Sequence, residues 1–186
     1  MIFKSTLMDQ DAVLRSLRRI AHEIVEKNKG VENLCLVGIL RRGVPMAQII
    51  AENIKRIEGA TINVGVLDIS AHRDDIDPSA ISGENKTEIP FEISGKNVVL
   101  VDDVLFTGRS VRAAMDALMS MGRPAKIQLA TLIDRGHREL PVCANYIGKN
   151  FPTARTEMIK VQFEGIDEET CVKLYDMPGQ SDTEQS

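Results

Sequence analysis

The sequence predicts an α/β fold in which helices flank a central parallel sheet, and three observations carry that expectation. Apolar runs of strand length recur at residues 34–40, 61–69, 97–101 and 126–133. Stretches with helical spacing lie between them, and strand alternating with helix means parallel strands joined by right-handed crossovers. The composition, 43% hydrophobic and 27% charged over 186 residues, is that of an ordinary folded protein with enough chain for one sizeable core.

Taken in order, Val13, Leu14, Leu17, Ile20, Ala21, Ile24 and Val25 recur at helical spacing after Asp9, a natural N-cap, and Gly30 closes the helix. The run 34–40 reads as a buried strand. Arg41, Arg42 and Gly43 turn the chain into a second helix, with Pro45 near its start and an end near Ile57. Residues 61–69 form the next strand. Residues 71–88 are polar and acidic, with Asp74, Asp75, Asp77, Pro78 and Gly83 in no period, and read as a mobile functional excursion. Strand 97–101, a helix over 110–121 with Val111, Ala114, Met115 and Leu118 inward, and strand 126–133 follow. Residues 135–152 look irregular, 157–163 strand-like, 167–175 a short helix and the end of the chain a disordered tail. No repeat or interdomain linker is evident.

Several classes of function are excluded or disfavoured. No positively charged, apolar leader and no run near the roughly 18 apolar residues of a membrane span is present, so a cytoplasmic protein is expected. Cys35, Cys143 and Cys171 are odd in number and scattered, which suits reduced thiols and neither a disulfide framework nor a clustered metal site. With 4% aromatic residues, no Trp and a net charge of −4, any nucleic-acid contact must come from a local basic patch.

The most informative string begins at Val98 and ends at Ser110: an apolar strand, Asp102 and Asp103, then Val104, Leu105, Phe106, Thr107, Gly108, Arg109 and Ser110 leading into a helix. In an open parallel sheet, ligands bind at the carboxyl ends of strands, where helix N-termini offer unpaired N–H groups to an anion. Thr107 to Ser110 are therefore expected to hold a phosphate, with Gly108 allowing close backbone approach and the two hydroxyls adding donors. The aspartates would repel that phosphate and suit ribose hydroxyls or a divalent cation ligated through oxygen and water. The plainer reading makes both of them helix caps.

The string resembles the signature of the type I phosphoribosyltransferases, enzymes that use ribose 5-phosphate 1-diphosphate (PRPP). The resemblance implies a type I phosphoribosyltransferase fold: a parallel sheet flanked by helices, a small hood, a flexible loop at about residues 70–89, and Mg-dependent transfer of ribose phosphate. It also implies one domain over residues 1–176, with the hood at about 134–176 plus the N-terminal segment, and a tail at 177–186. Further motifs (Arg18-Arg19-Ile20-Ala21-His22-Glu23, Leu36-Val37-Gly38-Ile39, Arg73-Asp74-Asp75, Asp134-Arg135-Gly136-His137-Arg138-Glu139-Leu140-Pro141 and Tyr146-Ile147-Gly148-Lys149-Asn150) are similar to one subfamily. It is that of the bifunctional pyrimidine-operon attenuation regulators and uracil phosphoribosyltransferases, and the likeness runs from Asp9 to Tyr175.

What the subfamily implies is uracil and PRPP as substrates, UMP and diphosphate as products, and Asp102, Asp103 and Arg73 at the catalytic centre, with Mg2+ near the two aspartates. PRPP and UMP contacts would extend over Arg41, Arg42, the run from Val104 to Ser110, Arg135 and Ile159. Relatives commonly have a non-proline cis peptide in the turn at Arg41, and Arg41 stands where a small polar residue is expected. Arg73 would come down on pyrophosphate, beside a His72 that replaces an expected Tyr.

Arg15, Arg18, Arg19 and His22 lie at spacings of 3, 4 and 7 and so share one helix face, opposite the apolar one. Such a face is commonly only solvated. The subfamily uses it, together with the positions of Arg138 and Lys149, to grip a pyrimidine-operon leader RNA hairpin as a dimer. Arg18 adds charge relative to an expected Thr, and Cys143 removes it relative to an expected Arg. Two further readings stay open on sequence alone: a regulator with vestigial catalysis, and a purine phosphoribosyltransferase.

Overall fold

The computed structural model describes residues 1–73 and 85–177. The acidic part of the expected excursion, Asp74 to Glu84, and the tail from residue 178 lie outside the described residues. Five parallel strands form the central sheet: β2 (Leu34–Ile39), β3 (Asn63–Leu67), β4 (Asn97–Leu105), β5 (Lys126–Asp134) and β6 (Tyr146–Asn150), in the order β3-β2-β4-β5-β6. All six residues of β2 are buried, as a central strand covered on both faces requires.

Period-two alternation sorts the sheet's side chains into two cores. Leu36, Val99, Val101, Ala130 and Leu132 face helices α1 (Gln10–Asn28) and α2 (Gly43–Glu58). Cys35, Val37, Val98, Leu100 and Leu129 face helix α3 (Arg109–Met121). Helix α1 buries Val13, Leu17, Ile20, Ala21 and Ile24 and is capped by Asp9, whose carboxylate accepts the Ala12 N–H at 2.8 Å. It ends with Lys29 in the left-handed region, and the Gly30 N–H returns to the Val25 carbonyl at 3.0 Å. No helix among the described residues is long and apolar enough to cross a membrane.

A second, antiparallel sheet in the order β1-β8-β7 forms the hood from both ends of the chain: β1 (Ile2–Met8), β7 (Glu157–Gln162) and β8 (Cys171–Asp176). Here the structure corrects the sequence reading. The expected helix at 167–175 is replaced by a turn and β8, because β8 finds partners on both sides, pairing Leu174 with Ser5 and with Ile159. A central position in a sheet outweighs local preference. The stretch read as irregular contains β6, whose Gly148 passes so close to β5 that a Cβ there would lie 2.4 Å from the Leu132 carbonyl oxygen. Strand β4 runs on to Leu105, so Asp102 and Asp103 sit within the strand, with Asp102 in register opposite Thr131. Strand β3 is shorter than the apolar run that announced it.

Candidate active site

The carboxyl ends of β2 and β4 lie side by side in the parallel sheet. Between β2 and α2 the Leu40–Arg41 peptide is cis, and the turn presses so tightly on the sheet that a Cβ on Gly43 would lie 2.2 Å from the Val101 carbonyl oxygen. Only glycine permits that approach. The turn leaves Arg41 exposed and Arg42 half-buried, the latter paired with Asp167 of the hood, with Nη2 to Oδ1 at 2.9 Å and Nε to Oδ2 at 3.2 Å.

After β4, Gly108 adopts φ 94° and caps α3 without a side-chain hydrogen bond. The first turn of α3 contains no acidic residue, so its N–H groups and dipole are available to an anion. Arg73, Asp102, Val104 to Val111 and Glu139 line a cavity of about 300 Å³. This brings together Arg73, Asp102 and the phosphate loop, while Asp103 does not line the cavity. Neither aspartate caps the helix: Asp102 accepts the Asp103 N–H at 3.0 Å, and Asp103 accepts that of Val104 at 2.9 Å.

Burial pushes the Asp102 carboxyl well above its ordinary range, and the neighbouring Asp103 charge adds to it, while Arg73 pulls the other way. Burial likewise raises Asp103, opposed mainly by Arg42. Two adjacent carboxyls short of positive charge form a site that a cation or a ribosyl cation would relieve. Among the described residues no group of three or more acidic, His or Cys side chains forms a metal cage. A Mg2+ at Asp102 and Asp103 would thus draw most of its ligands from substrate oxygens and water, as Mg2+ commonly does.

The remaining candidate residues take varied positions. Arg135 is buried at 6% exposure, stacks on Phe106 at 4.1 Å and donates to Thr153 Oγ1 and to the Ala154 and Glu157 carbonyls. Ile159 is buried in the core that α1 and α2 cover. Arg15, Arg18, Arg19 and His22 are all exposed on α1. Arg19 pairs with Glu23 and donates to the Ile147 and Gly148 carbonyls, which brings this face beside β6 and the exposed Lys149. Arg138 is placed differently: its half-buried guanidinium is directed into the chain, toward the carbonyls of the phosphate loop. Asp167 and Glu139 had no local signal in the sequence, since their ion-pair partners, Arg42 and Arg109, lie 125 and 30 residues away.

The chain matches the phosphoribosyl transferase domain family over residues 4–155. It is 56% identical over 180 residues to the bifunctional protein PyrR of Acetivibrio thermocellus, spanning 95% of this chain and 97% of that one. With the PyrR of Thermus thermophilus it shares 53% identity over 180 residues, spanning 96% and 99%. The chain belongs to the PyrR branch of the phosphoribosyltransferases. That membership accounts for the parallel sheet, the hood and the loop after β4 together. The same fold is found in solved phosphoribosyltransferases of low identity. The hypoxanthine phosphoribosyltransferase of Trypanosoma cruzi has a TM-score of 0.73 at 15% identity, covering 94% of this chain and 97% of that one. The enzyme from Staphylococcus aureus has 0.70 at 18%, covering 92% of each.

Proposed function

We propose that this protein is a uracil phosphoribosyltransferase, converting uracil and PRPP to UMP and diphosphate, that also regulates pyrimidine genes by UMP-dependent binding to leader mRNA. The observation that carries the catalytic half is a single cavity shared by Arg73, the half-buried Asp102 and the phosphate loop. Membership of the PyrR branch supports the regulatory half.

Displacing pyrophosphate from the anomeric carbon leaves positive charge on the ribose and negative charge on the leaving group, so the two ends need opposite fields. The N–H groups from Phe106 to Ser110, with the Thr107 and Ser110 hydroxyls, hold the 5-phosphate. Asp102 and Asp103 face the ribose hydroxyls and stabilise the developing cation. Arg42 and Arg73, with the turn at Arg41, take the pyrophosphate. Mg2+, when bound with PRPP at Asp102 and Asp103, supplies neutralising charge for the leaving group. Positioning and electrostatics account for the rate in this scheme without a general base. Arg135 backs the base pocket through Phe106, and hood backbone near Ile159 reads uracil.

The RNA surface in this reading is the exposed face of Arg15, Arg18, Arg19 and His22 with Lys149, working in a homodimer or larger homo-oligomer. PRPP, uracil, UMP and message all meet in the cytoplasm, which is the compartment this function implies. Supplying PRPP and Mg2+ with uracil, hypoxanthine, guanine or orotate in turn tests the assignment. Turnover with uracil alone is expected, and turnover of a purine but not uracil would overturn it. In a gel shift with a pyrimidine-operon leader RNA, UMP should strengthen binding; no enhancement would remove the regulatory half.

A further inference from the structure

The phosphate loop exposes a regular pattern of hydrogen bonds on its back. Three consecutive carbonyls are held from one side by the segment that follows β5. The Leu105 carbonyl accepts from the Arg135 N–H at 3.1 Å and from Arg138 Nη1 at 3.3 Å. The Phe106 carbonyl accepts from Arg138 Nη1 at 2.8 Å. The Thr107 carbonyl accepts from the Glu139 and Leu140 N–H groups, both at 3.0 Å.

In a planar trans peptide the N–H of the next residue points opposite to the carbonyl. Pinning those three oxygens toward the 135–140 segment therefore turns the N–H groups of Phe106, Thr107 and Gly108 the other way. None of the three donates to a described residue of the protein. Such successive N–H groups make an anion-binding concavity. Arg138 is the side chain that makes this possible: it also donates to the Val142 and Gly136 carbonyls and pairs with Asp134 at 2.5 Å. Its guanidinium is thus fixed on five acceptors, two of them in the loop. Leu140 and Val142 close the arrangement, each with a Cβ 3.4 Å from where a Cβ on Gly108 would stand.

We propose that Arg138 is a positioning residue for the phosphate site, which aims the loop's N–H groups at the 5-phosphate by holding the Leu105 and Phe106 carbonyls from behind. This rests on the loop being the phosphate site. Arg's fixed fork suits several carbonyls at once, whereas a Lys head is a compact point charge.

The test compares Arg138→Gln and Arg138→Lys with the unaltered protein in two measurements: steady-state kinetics with PRPP and calorimetric binding of ribose 5-phosphate. A rise of about 10- to 100-fold in the PRPP KM and the ribose 5-phosphate Kd is expected, the scale of misplaced binding groups. Most of the effect should fall on KM and not kcat, and Lys should rescue only part. A role confined to stability would lower Tm without that split. Should Arg138→Gln not fold, Arg138→Lys carries the same comparison. Unchanged PRPP kinetics and ribose 5-phosphate binding overturn the proposal. Gly108→Ala is the control for the site: if it leaves ribose 5-phosphate binding intact, the phosphate-site reading itself fails. If it weakens that binding while the Arg138 variants do not, only the positioning role fails.

Discussion

Arg42 and Asp167 form a two-pronged ion pair, with Nη2 to Oδ1 at 2.9 Å and Nε to Oδ2 at 3.2 Å, that ties the turn after β2 to the hood. Asp167 Oδ2 also accepts the Phe163 N–H at 3.0 Å. One carboxylate therefore holds the hood turn and the candidate pyrophosphate arginine together.

Burial alone would push the Asp167 carboxyl up, but the Arg42 hydrogen bond and the Phe163 N–H outweigh it and hold the group below its ordinary value. A depressed folded value means that the pair's stabilisation is complete above the unfolded value of about 4 and is lost as pH falls through the folded one. Asp167→Asn should therefore cost about 1 to 3 kcal/mol at neutral pH. The gap to the unaltered protein should narrow in acid. Urea unfolding at a series of pH values checks this, and a constant gap would contradict it.

Asp102 and Asp103 stand the other way round. Their raised values mean that, without ligand, the pair's contribution is fully present below the unfolded carboxyl value and is lost as pH rises, so at neutral pH the two charges oppose folding. Asp102→Asn is expected to raise the Tm of the unliganded protein by a few degrees, roughly 2 to 4 °C per kcal/mol at this size. The same change should cut uracil turnover at least about 100-fold, or ~2.7 kcal/mol of barrier. Asp103→Asn should lose turnover similarly with the fold intact. Calorimetric scans beside initial rates decide the matter; near-normal rates would show that the ribose lies elsewhere.

These two carboxyls also show what was legible in the sequence. The parallel sheet, α1 to α3 and the loop after β4 were readable because each is announced locally: a β-branched run, an apolar stripe after Asp9, Gly108 before a helix. The hood was not. Strand β8 was read as a helix because its identity comes from Ser5 and Ile159 on either side, more than ten residues away along the chain. Asp167, and the inward placement of Arg138, escaped for a related reason. An isolated Asp or Arg in a polar stretch looks like surface, and only long-range pairing turns it inward.

The thiols should differ sharply in reactivity. Burial pushes Cys35 up to about 11, against a small opposing pull from Lys96, and burial raises Cys171 as well, aided by Glu169. Cys143 is exposed. Since the thiolate is the reactive species, alkylation of the folded protein near pH 8 should give one fast label per chain, on Cys143, and denaturant should release the other two. For Cys35 a folded value above the unfolded one means stability that is full below about pH 9 and falls toward pH 11, by roughly 2 to 3 kcal/mol. Peptide mapping after brief labelling checks the order, and fast modification of Cys35 would show that β2 opens readily.

The α1 face makes the last prediction, because its four exposed residues are not equivalent. Arg15 and Arg18 have exposed side chains on the solvent side of the helix. Arg19 is instead drawn to β6, donating to the Ile147 carbonyl at 3.0 Å and the Gly148 carbonyl at 2.6 Å. Arg15→Ala and Arg18→Ala should each weaken leader-RNA binding and flatten its salt dependence by about one phosphate contact, with uracil turnover untouched, since neither lines the cavity. Arg19→Ala should do the same and also destabilise the fold by about 1 kcal/mol through the lost carbonyl bonds. Affinities measured over a salt series, beside unfolding curves, separate the two kinds of arginine. Wild-type affinity and slope in both Arg15→Ala and Arg18→Ala would move the RNA surface off α1.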